Sequence, residues 1–254
     1  MTADKRAASF AASVAVLLLI IAGWQAVASK GLISPVFLPG PDRIYAAIVK
    51  GVERGDLVAQ TGETIRRMIL GWALASVIGV AIGAVIGVSE AARVWLAPML
   101  EFVRPLPASA IAPVAVVIFG LTDRMVLFLI AFGSLWPMLL TTIHGFSNVH
   151  PRLREVSRTL ALGELAYVFK IALPAATPDI LGGLRLGLTV ALILTVVGEM
   201  ITVQGGLGAR ILLGARSFRS ADLFAGVALL GAIGLVSNGL LGLAESRALR
   251  WKPR

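Results

Sequence analysis

The chain has 254 residues, 57% of them hydrophobic types and only 15% charged, with a mean hydropathy of +0.89. A water-soluble domain does not carry that balance on its surface, so the composition describes an integral membrane protein. There is no cysteine, which excludes disulfides and thiolate metal sites, and the formal charge of +9 is divided by apolar spans into short clusters, a pattern of membrane topology rather than of a nucleic-acid surface.

Lys5 and Arg6 precede an apolar run over about 10–28. "AVA" at 26–28 imitates a signal-peptidase site, but the run reaches the ~20 residues a span needs, where signal cores take ~7 to 15. It reads as a first transmembrane helix over 10–29. In "LPGPDRIYAAIVKGVERGDL", Ile44, Ile48 and Val52 form a short apolar stripe after a proline and Asp42. An amphipathic helix is expected there, lying on the outer interface or forming part of a docking surface for an external partner.

Further spans are expected at about 68–88, 96–120, 125–143, 184–203 and 223–243, six in all, which puts both termini on one side. In the second, Gly71, Ala75, Gly79, Gly83 and Gly87 recur every fourth residue and make a close-packing face, within the subunit or at a dimer seam. The third carries Arg104 with Pro105, Pro107 and Pro113, so it should kink or break where protein or a watery cavity satisfies the freed carbonyls. Arg104 either lines the pathway and attracts an anion, or snorkels at the inner interface. Glu199, near the outer end of the fifth span, either closes an outer gate or pairs with an arginine such as Arg104 or Arg210. His144 and His150 read as interface or capping residues, with no acid or cysteine at ligand spacing, so no metal site is expected.

Basic residues orient the chain. Lys5, Arg6, Arg93, the 144–185 segment and the tail with Arg247, Arg250, Lys252 and Arg254 share one side, expected to be cytoplasmic. Arg66, Arg67, Arg210, Arg216 and Arg219 oppose the rule.

Residues 144–183 are too polar to span and too long for a turn. Leu153, Val156 and Leu160 share one helical face, with Glu155 and Arg158 spaced i, i+3 on another, and Gly163 can end that helix. A second short helix over 164–172 should turn Leu165, Val168, Phe169 and Ala172 inward and stop before Leu173-Pro174. Thr177-Pro178-Asp179 then supplies cap, proline and acid for the fifth span. The pattern is helix, break, helix, break, span: a surface helix tied to a membrane helix, either a mechanical lever or an ordered hairpin covering the bundle.

Glu155-Val156-Ser157, then Ala161, Ile171, Leu173 and Pro174, match the spacing of the "EAA" loop, written EAA, three residues, G, nine residues, I, one residue, LP. The chain thereby resembles the permease subunits of binding-protein-dependent ABC importers. It is most similar to the nitrate, taurine and sulfonate branch, with "LPGP" at 38–41, "RPLPASAIAP" at 104–113, "WP" at 136–137, "GE" at 198–199 and "GLG" at 206–208. Val156 and Ser157 replace the paired alanines, and Ala161 stands where glycine is usual.

The resemblance implies an all-α membrane protein of about six transmembrane helices with the ABC importer type I (MetI-like) fold, one domain over 1–254 with a core over 60–245. It implies a multi-pass protein of the bacterial inner membrane, both termini cytoplasmic, working in lipid as two copies with two ATPase subunits and an extracytoplasmic solute-binding protein. It also implies a coupling helix over 155–163, comprising Glu155, Val156, Ser157, Arg158, Thr159, Leu160, Ala161, Leu162 and Gly163. Leu160 would fill a groove on the ATPase, Glu155 and Arg158 would orient, and Ser157 and Ala161 would permit close approach. Arg104, Pro105, Pro107 and Glu199 are the pathway or gate candidates.

No cofactor is expected in the chain, since ATP and magnesium belong to the ATPase; "GLGARILLGARS" at 206–217 lacks the lysine of a phosphate loop and follows no strand pattern. The implied substrate is a small anion such as a sulfonate or nitrate, with a thiamine-precursor pyrimidine or another small organic solute as the alternative. An ion-gradient carrier would show inverted repeats and midplane ionisable residues, and an intramembrane enzyme would need a nucleophile and base within the spans; neither pattern is clear.

Overall fold

Apolar runs in lipid must satisfy their own backbone, and among the described residues the chain does so with helices and no strand. The computed structural model describes residues 3–250, with side chains from Ala11 onward apart from that of Ala97; the orienting charges expected at Lys5, Arg6, Lys252 and Arg254 lie outside what is described. The order is α1 Ala3–Ser29, α2 Pro41–Arg54, α3 Asp56–Val88, α4 Glu90–Val103, α5 Ala108–Phe119, α6 Asp123–Ser147, α7 Pro151–Thr159, α8 Glu164–Tyr167, α9 Leu173–Thr202, α10 Gly206–Arg216 and α11 Ser220–Ala248. A π-helical turn, Val168–Ala172, joins α8 to α9.

Among the described residues five stretches are long and apolar enough to cross a membrane: Ala11–Ser29, α3, α6, Glu164–Thr202 and α11. The single helix expected over 96–120 is instead two, α4 and α5, separated at residues 104–107. Pro105 and Pro107 have no amide to continue the ladder, and Pro107 is extended, with ψ 125.

The broken pair still carries the chain across, as the packing of α3 on α6 shows. Gly71 meets Ile130, Gly79 meets Met138, Gly83 meets Thr142 and Gly87 meets Phe146, each partner 59 residues further along. A constant offset means the two helices run parallel, so the chain must return between them through α4 and α5. The four-residue glycine stripe is therefore a seam inside the subunit. A Cβ at Gly83 would press on the Leu139 carbonyl and Thr142, so the missing side chains are what allow the two backbones to close up.

α9 packs on α6 in the opposite sense: Gly145 meets Ala176, Gly187 meets Met138 and Gly198 meets Val126. Leu129, Ile130, Ala191 and Leu194 fill the core between these helices. α11 runs back along α9, Gly234 facing Leu192 and Gly242 facing Arg185. α10 occupies the expected outer loop, folded against α9, α11 and α3. Little of α11 and none of the α1 span is buried, and α1 touches the rest through contacts such as the Trp24–Phe224 ring pair at 5.8 Å.

The stripe on α2 is only partly as expected. Ile44 is buried and Ile48 packs on the core, but Val52 is exposed, and the third inward position is Gly51 against Leu57 of α3. The helix lies against α11 and α3 rather than resting on the interface alone.

Candidate functional site

The charged loop begins at α7. Pro151 opens it, and His150 Nδ1 accepts from the Arg152 N–H at 3.2 Å, the capping role expected of that histidine. Ser157 is the buried residue of the helix, and Arg154 lies over the Tyr167 ring at 5.5 Å, pinning α7 to α8. Leu153, Val156 and Leu160 form a bare apolar stripe, 40%, 49% and 63% exposed.

α7 ends at Thr159, short of the expected terminator Gly163, so of residues 155–163 only the first five are helical and the rest form the exit turn. The Leu162 N–H donates to the Ser157 carbonyl and the Ala161 N–H to the Arg158 carbonyl, both at 3.0 Å, with Ala161 at φ +49. This is the Schellman arrangement with alanine at the left-handed position. The place where the family pattern has glycine is the place where the backbone needs one. Ala161→Gly should therefore stabilise the turn by about 1 kcal/mol and slow amide exchange at Ala161 and Leu162 roughly fivefold. Exchange unchanged or faster in the variant would refute the strain.

Beyond the turn the expected second break is absent. The Leu173 N–H reaches the Val168 carbonyl, one residue further than an α-helix allows. Pro174 has no amide to offer, and the helix widens by one residue instead of stopping. Thr177 does not cap: its hydroxyl donates to the Leu173 carbonyl at 2.8 Å inside α9, and Pro178 is internal. The face of 164–172 is also rotated from expectation, with Tyr167 and Ala172 buried while Leu165 and Phe169 are exposed. Residues Glu164–Thr202 are thus one 39-residue rod from the loop to the opposite end of the bundle.

At its far end that rod carries Glu199, which is fully buried. Its partner is Arg67, at 3.1 Å, and not Arg104 or Arg210 as expected. The Gly208 N–H donates to Glu199 at 2.9 Å, and the Thr64 hydroxyl lies 3.0 Å from both carboxylate oxygens. Arg67 spreads its planar fork over three elements: Asp123 of α6 at 2.8 Å, Glu199 of α9, and the Gln204 carbonyl at 3.0 Å. Gly205 and Gly206, both at positive φ, let the chain pass over the cluster; a Cβ at Gly206 would fall on the Glu199 carboxylate.

Four of the five arginines that opposed the charge rule, Arg66, Arg67, Arg210 and Arg219, are paired with acids at this end of the bundle. Arg66 meets Asp123 at 2.7 Å, and Arg210 meets Asp56 at 3.0 Å and Asp222 at 2.8 Å. Arg67 was legible only as an exception to topology; an arginine and a glutamate in two separate spans are a signal that each is the other's partner.

The gap between α4 and α5 opens on a cavity of about 530 Å³, walled by Arg104, Leu106, Ala108 and Ser109 from the break and by residues of α6 and α9. Among the described residues Arg104 is exposed and makes no side-chain hydrogen bond or ion pair. Pro105 and Pro107 are exposed in the same turn. Glu199 and Arg104 therefore do not belong to one site. The described residues hold no cluster of acids and histidines suited to a metal ion.

One broken crossing, an ion-paired end and an ordered basic loop at the opposite end make up a polytopic membrane bundle. The chain belongs to the family of binding-protein-dependent transport system inner membrane components, whose pattern matches residues 75–250. It is 31% identical over 235 residues, covering 92% of this chain and 85% of the other, to a Bacillus subtilis (strain 168) protein named as an aliphatic sulfonates transport permease, SsuC. It is 27% identical over 244 residues to the taurine transport system permease protein TauC of Escherichia coli (strain K12), with 94% and 89% covered. It is 29% identical over 199 residues to the nitrate import permease protein NrtB of Leptolyngbya laminosa, with 78% and 71% covered. Among solved structures, an inward-facing form of the MetNI methionine ABC transporter superposes with a TM-score of 0.64 at 19% identity, over 78% of this chain and 96% of that one. The fold is that of the MetI-type importer permeases, and the chain is a multi-pass transport subunit.

Proposed function

We propose that this permease, a single domain over 1–254, works as two copies with two cytoplasmic ATPase subunits and an extracytoplasmic solute-binding protein, and admits a small oxyanion. The observation that carries the coupling reading is the bare stripe Leu153, Val156 and Leu160 on an otherwise charged loop helix, in the family position of the EAA motif. An apolar stripe facing water rather than lipid needs a protein groove to cover it. ATP and magnesium bind the ATPase partner, and closure of its dimer reaches the membrane through residues 155–163. The loop side, with Arg152, Arg154, Arg158 and Lys170, is cytoplasmic, and both termini share it. The oxyanion reading rests on the names of the sulfonate, taurine and nitrate relatives.

The test is reconstitution in liposomes with the ATPase and binding protein encoded beside the gene. ATP hydrolysis stimulated by liganded binding protein, with ATP-dependent uptake of an oxyanion, is the expected result. Uptake by the permease alone down a proton or sodium gradient would overturn it in favour of a secondary carrier. Uptake of a pyrimidine but of no anion would keep the importer and overturn the substrate class.

A further inference from the structure

We propose that the basic side of α2 is a docking surface for a carboxylate-rich face of the extracytoplasmic binding protein. This rests on the importer reading above and adds to it where, and through what chemistry, that partner sits. Arg43, Lys50 and Arg54 follow one another at i, i+7 and i+11, which at about 100° per residue puts them within roughly 40° of each other on the helix. All three are exposed. Arg43 and Lys50 form no ion pair or side-chain hydrogen bond among the described residues, and Arg54 acts on Asp56 only from beyond ion-pair distance.

The stripe forms one wall of a cavity of about 300 Å³, closed on the other side by Arg210 and by Ala221 and Asp222 of the first turn of α11. Asp222 is the acid on that wall, and it is already held by Arg210 at 2.8 Å and Arg219 at 3.7 Å, so the three cations of α2 stay uncompensated. They stand at the end of the bundle opposite the charged loop, where the charge rule disfavours cations in a short connection between spans. Ala46 and Ala47 lie beside them on the cavity wall and leave room for side chains that approach from outside.

A folded acidic surface fits this groove better than a lipid headgroup does. α2 packs on the bundle through Ile44, Ile48 and Gly51, about a quarter-turn from the basic stripe. Its exposed large apolar residues Tyr45 and Val52 lie nearly opposite that stripe, so the side that hydrocarbon can wet is not the side that carries the charge. Arg43 and Arg54 stand about 16 Å apart along the axis, a spread that suits several carboxylates on a protein rather than one phosphate.

The experiment is zero-length carbodiimide cross-linking of the permease–ATPase complex, in phosphatidylcholine nanodiscs, to the binding protein encoded beside the gene, with thermophoresis measuring the affinity. Carbodiimide joins a lysine amine to a carboxylate in contact with it, and Lys50 is the lysine of this surface. Wild type should yield a peptide linking Lys50 to an acid of the binding protein, and Lys50→Arg should lose that peptide while keeping the affinity. Reversing all three charges together, with Arg43→Glu, Lys50→Glu and Arg54→Glu, should weaken binding on the order of tenfold or more. Wild-type affinity should fall as salt rises from about 50 to 300 mM, and that of the reversed variant should not. None of the three has an ion-pair partner in the chain, so the reversed variant should fold, with the unfolding temperature of wild type. Equal binding by the reversed variant, or stimulated ATP hydrolysis with no cross-link through Lys50, would overturn the surface. Unchanged binding with loss of retained phosphatidylglycerol in mixed nanodiscs would overturn it in favour of a lipid. The importer reading fails by a different result, absence of ATP-driven uptake by wild type in liposomes.

Discussion

Arg67→Met is expected to destabilise the protein by about 3 to 5 kcal/mol, the cost of removing one partner from a buried ion pair. The substitution strands the fully buried Glu199 and deprives the Gln204 and Gly205 carbonyls of their donor in one step. It also unties α3 from α6 and α9 at once, because a single guanidinium serves Asp123 and Glu199 together. Glu199→Gln should cost distinctly less: an amide oxygen still accepts from Gly208, and Asp123 still holds Arg67. A double replacement by Met at both positions should recover part of the loss, since no unpaired charge is then buried. Thermal and SDS unfolding of the purified protein in detergent measures all three. Arg67→Met within about 1 kcal/mol of wild type would show that the cluster does not hold this end of the bundle together.

Leu160→Asp should abolish ATP-driven uptake on the proposed coupling role while leaving the fold intact. Leu160 is 63% exposed and sits in the exit turn of α7, so a carboxylate there meets water in the free subunit. Seated in an apolar groove on the ATPase, the same carboxylate would be buried without a partner, a penalty of several kcal/mol. Uptake should fall at least about tenfold, with co-purification of the ATPase weakened in parallel. Glu155→Ala should have a milder effect, since Glu155 is exposed and serves to orient. Membrane insertion and unfolding temperature should match wild type in both. Normal transport by both variants would remove residues 155–163 from the coupling path.

The spans, the glycine stripe and an ordered charged loop could all be read from residue order, because each is written as a local period or a composition shift. The partner of Glu199 could not: Arg67 lies 132 residues away, and periodicity carries no information about which two spans meet. Local stop signals misled in the loop for a different reason. Leu173-Pro174 and Thr177-Pro178 have the chemistry of helix boundaries, yet here a π-helical turn takes up the missing amide and the helix runs on. Ala161 shows the converse: a departure from the family pattern marked the residue of the α7 exit turn whose backbone is left-handed.

The unbroken rod from Glu164 to Thr202 has 39 residues, about 58 Å at 1.5 Å per residue, nearly twice the ~30 Å hydrocarbon thickness. The end away from the loop is clamped by Arg67, and Val190, on the wall of the cavity at the α4–α5 break, stands about a quarter of the way from Glu199 to the loop end. On the proposed coupling role, a bar pinned there would act as a reduction gear: ångströms of travel at the loop would become a fraction of that at the cavity wall, delivered with proportionally greater force.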